Sequence, residues 1–152
     1  MNPILAMIKS QEGKKLGAMN PPLSQWLDGR LISANEGEME MEYQVREEMT
    51  NPVGILHGGI HSAIMDDLIG MSCFSLALPH VYLSVNLTVD FLGQAKIGDK
   101  VIAKTILVRK GKTMINFSAE IHHAETGQLI SRATSNMVNS GMQSAWAKEE
   151  KE

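Results

Sequence analysis

Between Ile60 and Leu78 the chain is apolar on nearly every side of a helix, and directly beyond Pro79 its hydrophobic period falls from 3.6 to 2. Such a helix must be covered all round. A single sheet covers about one side of it, so the other side calls for a second subunit or another protein. His61, Asp66 and Asp67 interrupt the run, which therefore fails as a membrane span and reads as a buried helix.

After the helix, Val81, Leu83, Val85, Leu87, Val89 and Phe91 alternate with Tyr82, Ser84, Asn86, Thr88 and Asp90, the clearest strand pattern in the chain. Gly98-Asp99 opens a strand to Val108, Lys110-Gly111-Lys112 turns it into Met114–His122, and Thr126-Gly127 turns that into Leu129–Val138. These three form a meander. Before the long helix, residues 4–16 suit a short helix, Leu23–Leu27 a turn, and Leu31–Val45 two strands about Asn35-Glu36-Gly37. Arg46–Gly59, with Asn51-Pro52, Gly54 and Gly58-Gly59, reads as the loop entering the helix. Strands and helices do not alternate, which argues against a parallel doubly wound sheet and for an antiparallel α+β domain.

The 152 residues, 43% hydrophobic and 20% charged, suffice for one domain with a core. The expectation is a single domain over 1–152, with 1–28 as a helical lead-in and 141–152 as a frayed tail. Fourteen basic against seventeen acidic side chains leave a net charge of −3, so no global positive field exists for nucleic acid or an anionic membrane. The N-terminal apolar run is too short and lacks the basic flank of a signal peptide, and Cys73 has no partner for a disulfide. Both point to the cytoplasm.

On a helical wheel Gly59, Ser62, Asp66, Gly70, Cys73 and Ala77 share one face, so every neighbour of Asp66 there is small. A substrate or a partner backbone can approach this carboxylate, which can act on a carbonyl or activate water. The competing reading makes it a structural hydrogen-bonding group. Asp67 projects instead among Ile60, Ile64, Met71 and Phe74, where a charge is costly unless paired. Leu56-His57-Gly58-Gly59 leaves backbone N–H groups uncovered at a helix start, a site for an oxygen that gains negative charge, or else merely a close-packed turn.

Asn51, Gly54, His57-Gly58-Gly59 and Asp66, nine positions after His57, together with the strand Ser84–Phe91, Gly98-Asp99, Gly111-Lys112-Thr113 and Thr126-Gly127, resemble the hotdog-fold acyl-CoA thioesterases of the phenylacetate-degradation (PaaI) type. The likeness runs from about Pro22 to Val138. It implies a long central helix wrapped by a mostly antiparallel sheet, assembled as a homodimer or homotetramer with active sites at the dimer interface. It also implies hydrolysis of an acyl-CoA to free acid and CoA, with no cofactor and no metal. Asp66 becomes general base or nucleophile, the Gly58 N–H polarises the thioester carbonyl, Asn51 orients water or substrate, Ser84 helps hold the lytic water, and His57 shapes the site. The Asn51–Gly58 segment would face Asp66 of the other subunit. Two other functions stay open, a non-catalytic acyl-CoA binding or sensing module and an acyl-thioester hydratase or dehydratase.

His57 and His61 stand four apart without the glutamate of a zinc-protease helix, and His122 and His123 point to opposite faces of a strand, so neither pair suits a metal. Gly111-Lys112-Thr113 lacks the earlier glycine of a phosphate-binding loop and reads as a hairpin. Arg109, Lys110 and Lys112 are the densest basic group and the candidate contacts for CoA phosphates. His61 and Asp67 receive no role, and Cys73 reads as inert filler.

Overall fold

The computed structural model describes residues 1–18 and 20–149, without the side chains of 148 and 149. A six-stranded antiparallel sheet in the order β1-β2-β4-β5-β6-β3 curls about one long helix, α3 (Gly58–Phe74). The strands are β1 (Arg30–Asn35), β2 (Glu38–Gln44), β3 (His80–Phe91), β4 (Lys100–Lys110), β5 (Met114–His123) and β6 (Leu129–Gln143). Short helices α1 (Pro3–Lys9), α2 (Pro22–Leu27) and α4 (Ala145–Glu149) lie at the two ends of the chain. This is the α+β hotdog architecture that the periodicity and the family resemblance imply.

Ile64, Met65, Leu68 and Ile69 of α3 are fully buried with Met41 and Tyr43 of β2, Ala103 of β4, Phe117 of β5 and other inward residues of the sheet. Each such large side chain contributes roughly 1.5–3 kcal/mol by leaving water. The helix also carries polar anchors. Ser72 Oγ donates to the Leu68 carbonyl and meets Thr105 Oγ1 of β4, which accepts from Met39 N at 2.9 Å. At the helix end Ser75 Oγ accepts the Gly37 N–H at 2.8 Å, so the β1–β2 turn is tied to the last turn of α3.

Three features of the fold differ from the sequence expectation in ways that matter. The first helix stops at Lys9 instead of continuing to residue 16, because the chain turns through Gly13 at φ +80°, whose N–H bonds the Leu31 carbonyl at 2.7 Å. Residues 141–149 are strand and helix where a frayed tail is expected. Ser144 pins them, its N–H to the Pro79 carbonyl and its hydroxyl to the Leu78 carbonyl, both at 2.9 Å. Residues 150–152 lie outside the described residues.

The third difference bears on function. The alternation along β3 is broken by a bulge: Ser84 pairs with Met137, yet Asn86 pairs with Asn136, leaving Val85 unopposed. Opposed residues share a face, and Met137, Ser135, Ala133 and Ser131 face the helix. Ser84, Leu87, Val89 and Phe91 therefore point inward while Leu83 points out with Val138. Unbroken alternation would have left Ser84 on the outer face with Asn86 and Thr88.

β3 is also an outer strand of the sheet, and its Val85 and Phe91 are 59% and 55% exposed. A long apolar edge invites pairing with another chain. No helix is long and apolar enough to cross a membrane among the described residues.

Candidate active site

The helix entrance is built from its own hydrogen bonds. Asn51 and Ile55 close a tight loop through Asn51 N to the Ile55 carbonyl at 2.9 Å, with Gly54 at φ +80° allowing the reversal. Asn51 Oδ1 accepts from Val53 N at 3.1 Å and Ile55 N at 3.3 Å, so only its amide nitrogen remains to donate outward. His57 N bonds the Met49 carbonyl and Leu56 N the Ala95 carbonyl, which fixes the last residues before α3.

His57 is the N-cap. Its Nδ1 accepts the Gly59 N–H at 2.9 Å, which places the proton of a neutral ring on Nε2. Ile60 N and His61 N both bond the His57 carbonyl. Of the first-turn donors, Gly59 is thus occupied by the protein, while the Gly58 N–H has no acceptor among the described residues. Helix ends leave such donors open, and the helix dipole adds to their pull on an anion.

Asp66 lies eight residues further along α3, exposed, with Ser84 Oγ donating to its Oδ1 at 2.9 Å. One turn on, the space in front of Gly70 is open, with nothing within 4 Å of where a Cβ would stand. Asp66 and Ser84 are therefore brought together within the chain. Asn51 and Gly58 are not brought to them: eight residues at a rise of 1.5 Å put Gly58 about 12 Å from Asp66 along the axis.

Asp67 is partly buried, as its apolar neighbours on the helix imply: Ser24 Oγ of α2 donates to its Oδ1 at 2.8 Å, and its Oδ2 is buried without a partner among the described residues. Burial pushes its pKa above the usual aspartate value, the Ser24 bond opposes this, and the Asp66 charge adds to it. Tyr43 is raised too, first by burial and then by the Asp67 charge. Between the ordinary aspartate value of 3.8 and the raised one, the native state keeps a proton that the unfolded chain has released, so stability falls as pH rises through that window. Asp67→Asn keeps an acceptor for Ser24 and removes the charge. It should melt above the wild type at mildly alkaline pH, by about 2–4 °C per kcal/mol regained, and match it below the ordinary aspartate range. An equal melting difference at both ends of a pH series of calorimetric scans would disprove the burial cost.

His61 is buried and bonds Ser131 Oγ through Nδ1 at 2.8 Å. Burial lowers its pKa, the Leu56 carbonyl acts the other way, and His57 lowers it further. Arg109, Lys110 and Lys112 are all exposed at the β4–β5 hairpin, and none has a carboxylate within ion-pair distance among the described residues. The hairpin closes through Gly111 N to the Met114 carbonyl at 2.9 Å. Leu107 of β4 packs on Gly37, whose N–H is held by Ser75 just beyond α3, so this basic group lies toward the helix end opposite Gly58. Burial pushes the Cys73 thiol up to about 11, which disfavours the thiolate a nucleophile needs. His122 and His123 turn to different partners, Glu120 at 3.4 Å and Asp99 at 3.2 Å. Ser24, Phe91 and Ser131 had no local signal, since each reaches the site from a distant element.

The family model described as the thioesterase superfamily matches residues 53–130, a span containing Gly58, Asp66 and Ser84. Human acyl-coenzyme A thioesterase 13 is 32% identical over 104 residues, covering 67% of this chain and 73% of that protein. Among solved structures, the PaaI protein of the E. coli phenylacetic acid degradation operon has a TM-score of 0.76 at 22% identity, over 82% of this chain and 88% of that one. A Streptococcus mutans protein solved bound to acetyl CoA has a TM-score of 0.70 at 20% identity, over 76% and 91%. Both likenesses establish the shared fold.

Proposed function

This chain belongs to the thioesterase superfamily, and from that premise we propose that it hydrolyses acyl-CoA thioesters at sites shared between two copies of the chain. It is a thioester hydrolase. The observation that carries the finer reading is the pair of unspent groups on α3: a carboxylate held on one oxygen by Ser84, and a Gly58 N–H without an acceptor.

The thioester oxygen rests on the Gly58 N–H, where the helix dipole favours the charge that develops as the carbonyl is attacked. Asn51 donates its free amide to water or substrate, and His57 holds the turn by capping Gly59. Asp66 takes a proton from a water kept in place with Ser84 while that oxygen bonds the acyl carbon. Collapse of the tetrahedral intermediate breaks the C–S bond, and the proton leaves with the CoA thiol. In the other route Asp66 itself bonds the acyl carbon and the C–S bond breaks to release CoA thiolate, which takes up a proton. Water then opens the mixed anhydride to the free acid and restores Asp66; both routes use the same placement. Arg109, Lys110 and Lys112 supply the cations for CoA phosphates.

One chain cannot assemble this site, because Gly58 and Asp66 stand about 12 Å apart along one helix. A second copy with its α3 antiparallel brings Asn51–Gly58 of one chain to Asp66 of the other, and covers the apolar edge of β3. Homodimer, or two dimers as a homotetramer, follows. The lone buried Cys73 supports a reducing compartment, the cytoplasm.

The test is thiol release from a panel of acyl-CoAs of graded chain length and one aromatic acyl group, with light scattering on the same sample. Turnover by an assembly of two or four chains is expected. Binding without thiol release would convert the reading to a binding module, and water addition to an enoyl-CoA without thiol release to a hydratase. A monomer that turns over would overturn the shared site.

A further inference from the structure

The reaction above leaves His61 unused, although it is the buried imidazole of α3, only 3% exposed. A buried imidazole is retained at a cost unless its nitrogens are partnered. Here Nδ1 meets Ser131 Oγ of β6 at 2.8 Å. The imidazole thus links α3 to the sheet one turn after Gly58.

A second chain of contacts ends at the same place. Phe91 of β3 stands opposite Ser131 in the register and meets His61 edge-on, with ring centroids 5.5 Å apart and an interplanar angle of 85°. Its ring also lies 3.3 Å from where a Gly58 Cβ would stand, so the Gly58 backbone rests on it. Ser131 and Phe91 of the sheet and His61 of the helix thus form one contact chain that ends at Gly58.

We propose that His61 is a positioning residue of the hydrolysis: held by Ser131, it fixes the Phe91 ring, and through it the direction of the Gly58 N–H. This rests on the reading that Gly58 donates to the thioester oxygen. His61 touches neither water nor substrate, and acts through the geometry of the donor.

His61→Leu keeps the bulk and removes the hydrogen bond to Ser131. It should lower kcat by about 10–100-fold, as a small misplacement of a catalytic group does, while KM stays within about twofold. His61→Asn retains a hydrogen-bonding atom near the Nδ1 position and should recover most of that loss. Ser131→Ala should lower kcat in the same direction, which keeps the test available if His61→Leu does not fold. The Gly58 amide resonance should shift in His61→Leu and return in His61→Asn. Unchanged kcat in the folded His61→Leu or Ser131→Ala variants would overturn the inference. So would a parallel loss in kcat, KM and melting temperature without rescue by Asn. Gly58→Pro, assayed beside them, separates the two ideas: a Gly58→Pro enzyme that still turns over removes the donor reading itself, whereas a dead Gly58→Pro with an active His61→Leu removes only the role of His61.

Discussion

Asp66→Asn is expected to cut kcat for acyl-CoA hydrolysis by about 10²–10⁴-fold, the usual contribution of a positioned proton acceptor, with KM and melting temperature nearly unchanged. The argument is local. Asp66 is exposed and spends one oxygen on Ser84, so the amide preserves that bond, adds no volume and disturbs no packing. Only the ability to take a proton, or to attack carbon, is lost. The adjacent Asp67→Asn is the natural control, because its carboxyl is engaged by Ser24 of α2 and not by Ser84, and should leave kcat within a few-fold. Thiol-release assays on both variants, with circular dichroism to verify folding, separate a carboxylate that acts from one that packs. Full turnover by Asp66→Asn would remove this carboxyl from the chemistry.

Periodicity carried the architecture far, and where it bears on the site it failed at one residue. The apolar helix, the meander and the Leu31–Val45 hairpin are short-range patterns, since each period reports which side chains share a face of their own element. The bulge at Val85 is not such a pattern. It is set by how β3 pairs with β6, and it alone brings Ser84 to the helix side, against the alternation of the strand. The Ser24–Asp67 and His61–Ser131 bonds are likewise invisible in sequence, joining residues 43 and 70 positions apart. The resemblance supplied Ser84 where local reasoning would have left it outside. In the proposed mechanism Asp66 meets Gly58 only across two copies of the chain; the all-round apolar helix called for a partner, but no local pattern sets how that partner is oriented.

Gly58→Pro should lower kcat by about 10²–10³-fold, the cost of losing one oxyanion donor. The backbone is unusually tolerant of this change. Gly58 is the first residue of α3, where proline is favoured because its N–H has no intrahelical partner, and His57 at φ −65° and ψ 138° already holds the extended conformation that a following proline requires. The ring does add atoms next to Phe91, 3.3 Å from the new Cβ, and Gly58→Ala isolates that effect: it brings the same Cβ and keeps the N–H. A large loss in Pro beside a small one in Ala assigns the deficit to the donor, whereas equal losses assign it to the Phe91 contact. The two dead variants then test the shared site together. If Gly58 of one copy serves Asp66 of the other, a mixed dimer of Gly58→Pro and Asp66→Asn chains contains one intact site and one doubly damaged site. Random pairing makes half the dimers mixed, so co-refolding the variants should restore about a quarter of wild-type turnover from two inactive preparations. No recovery in a mixture shown by mass to contain the mixed dimer would mean that each chain carries a whole site of its own, and that the gap along α3 is closed some other way.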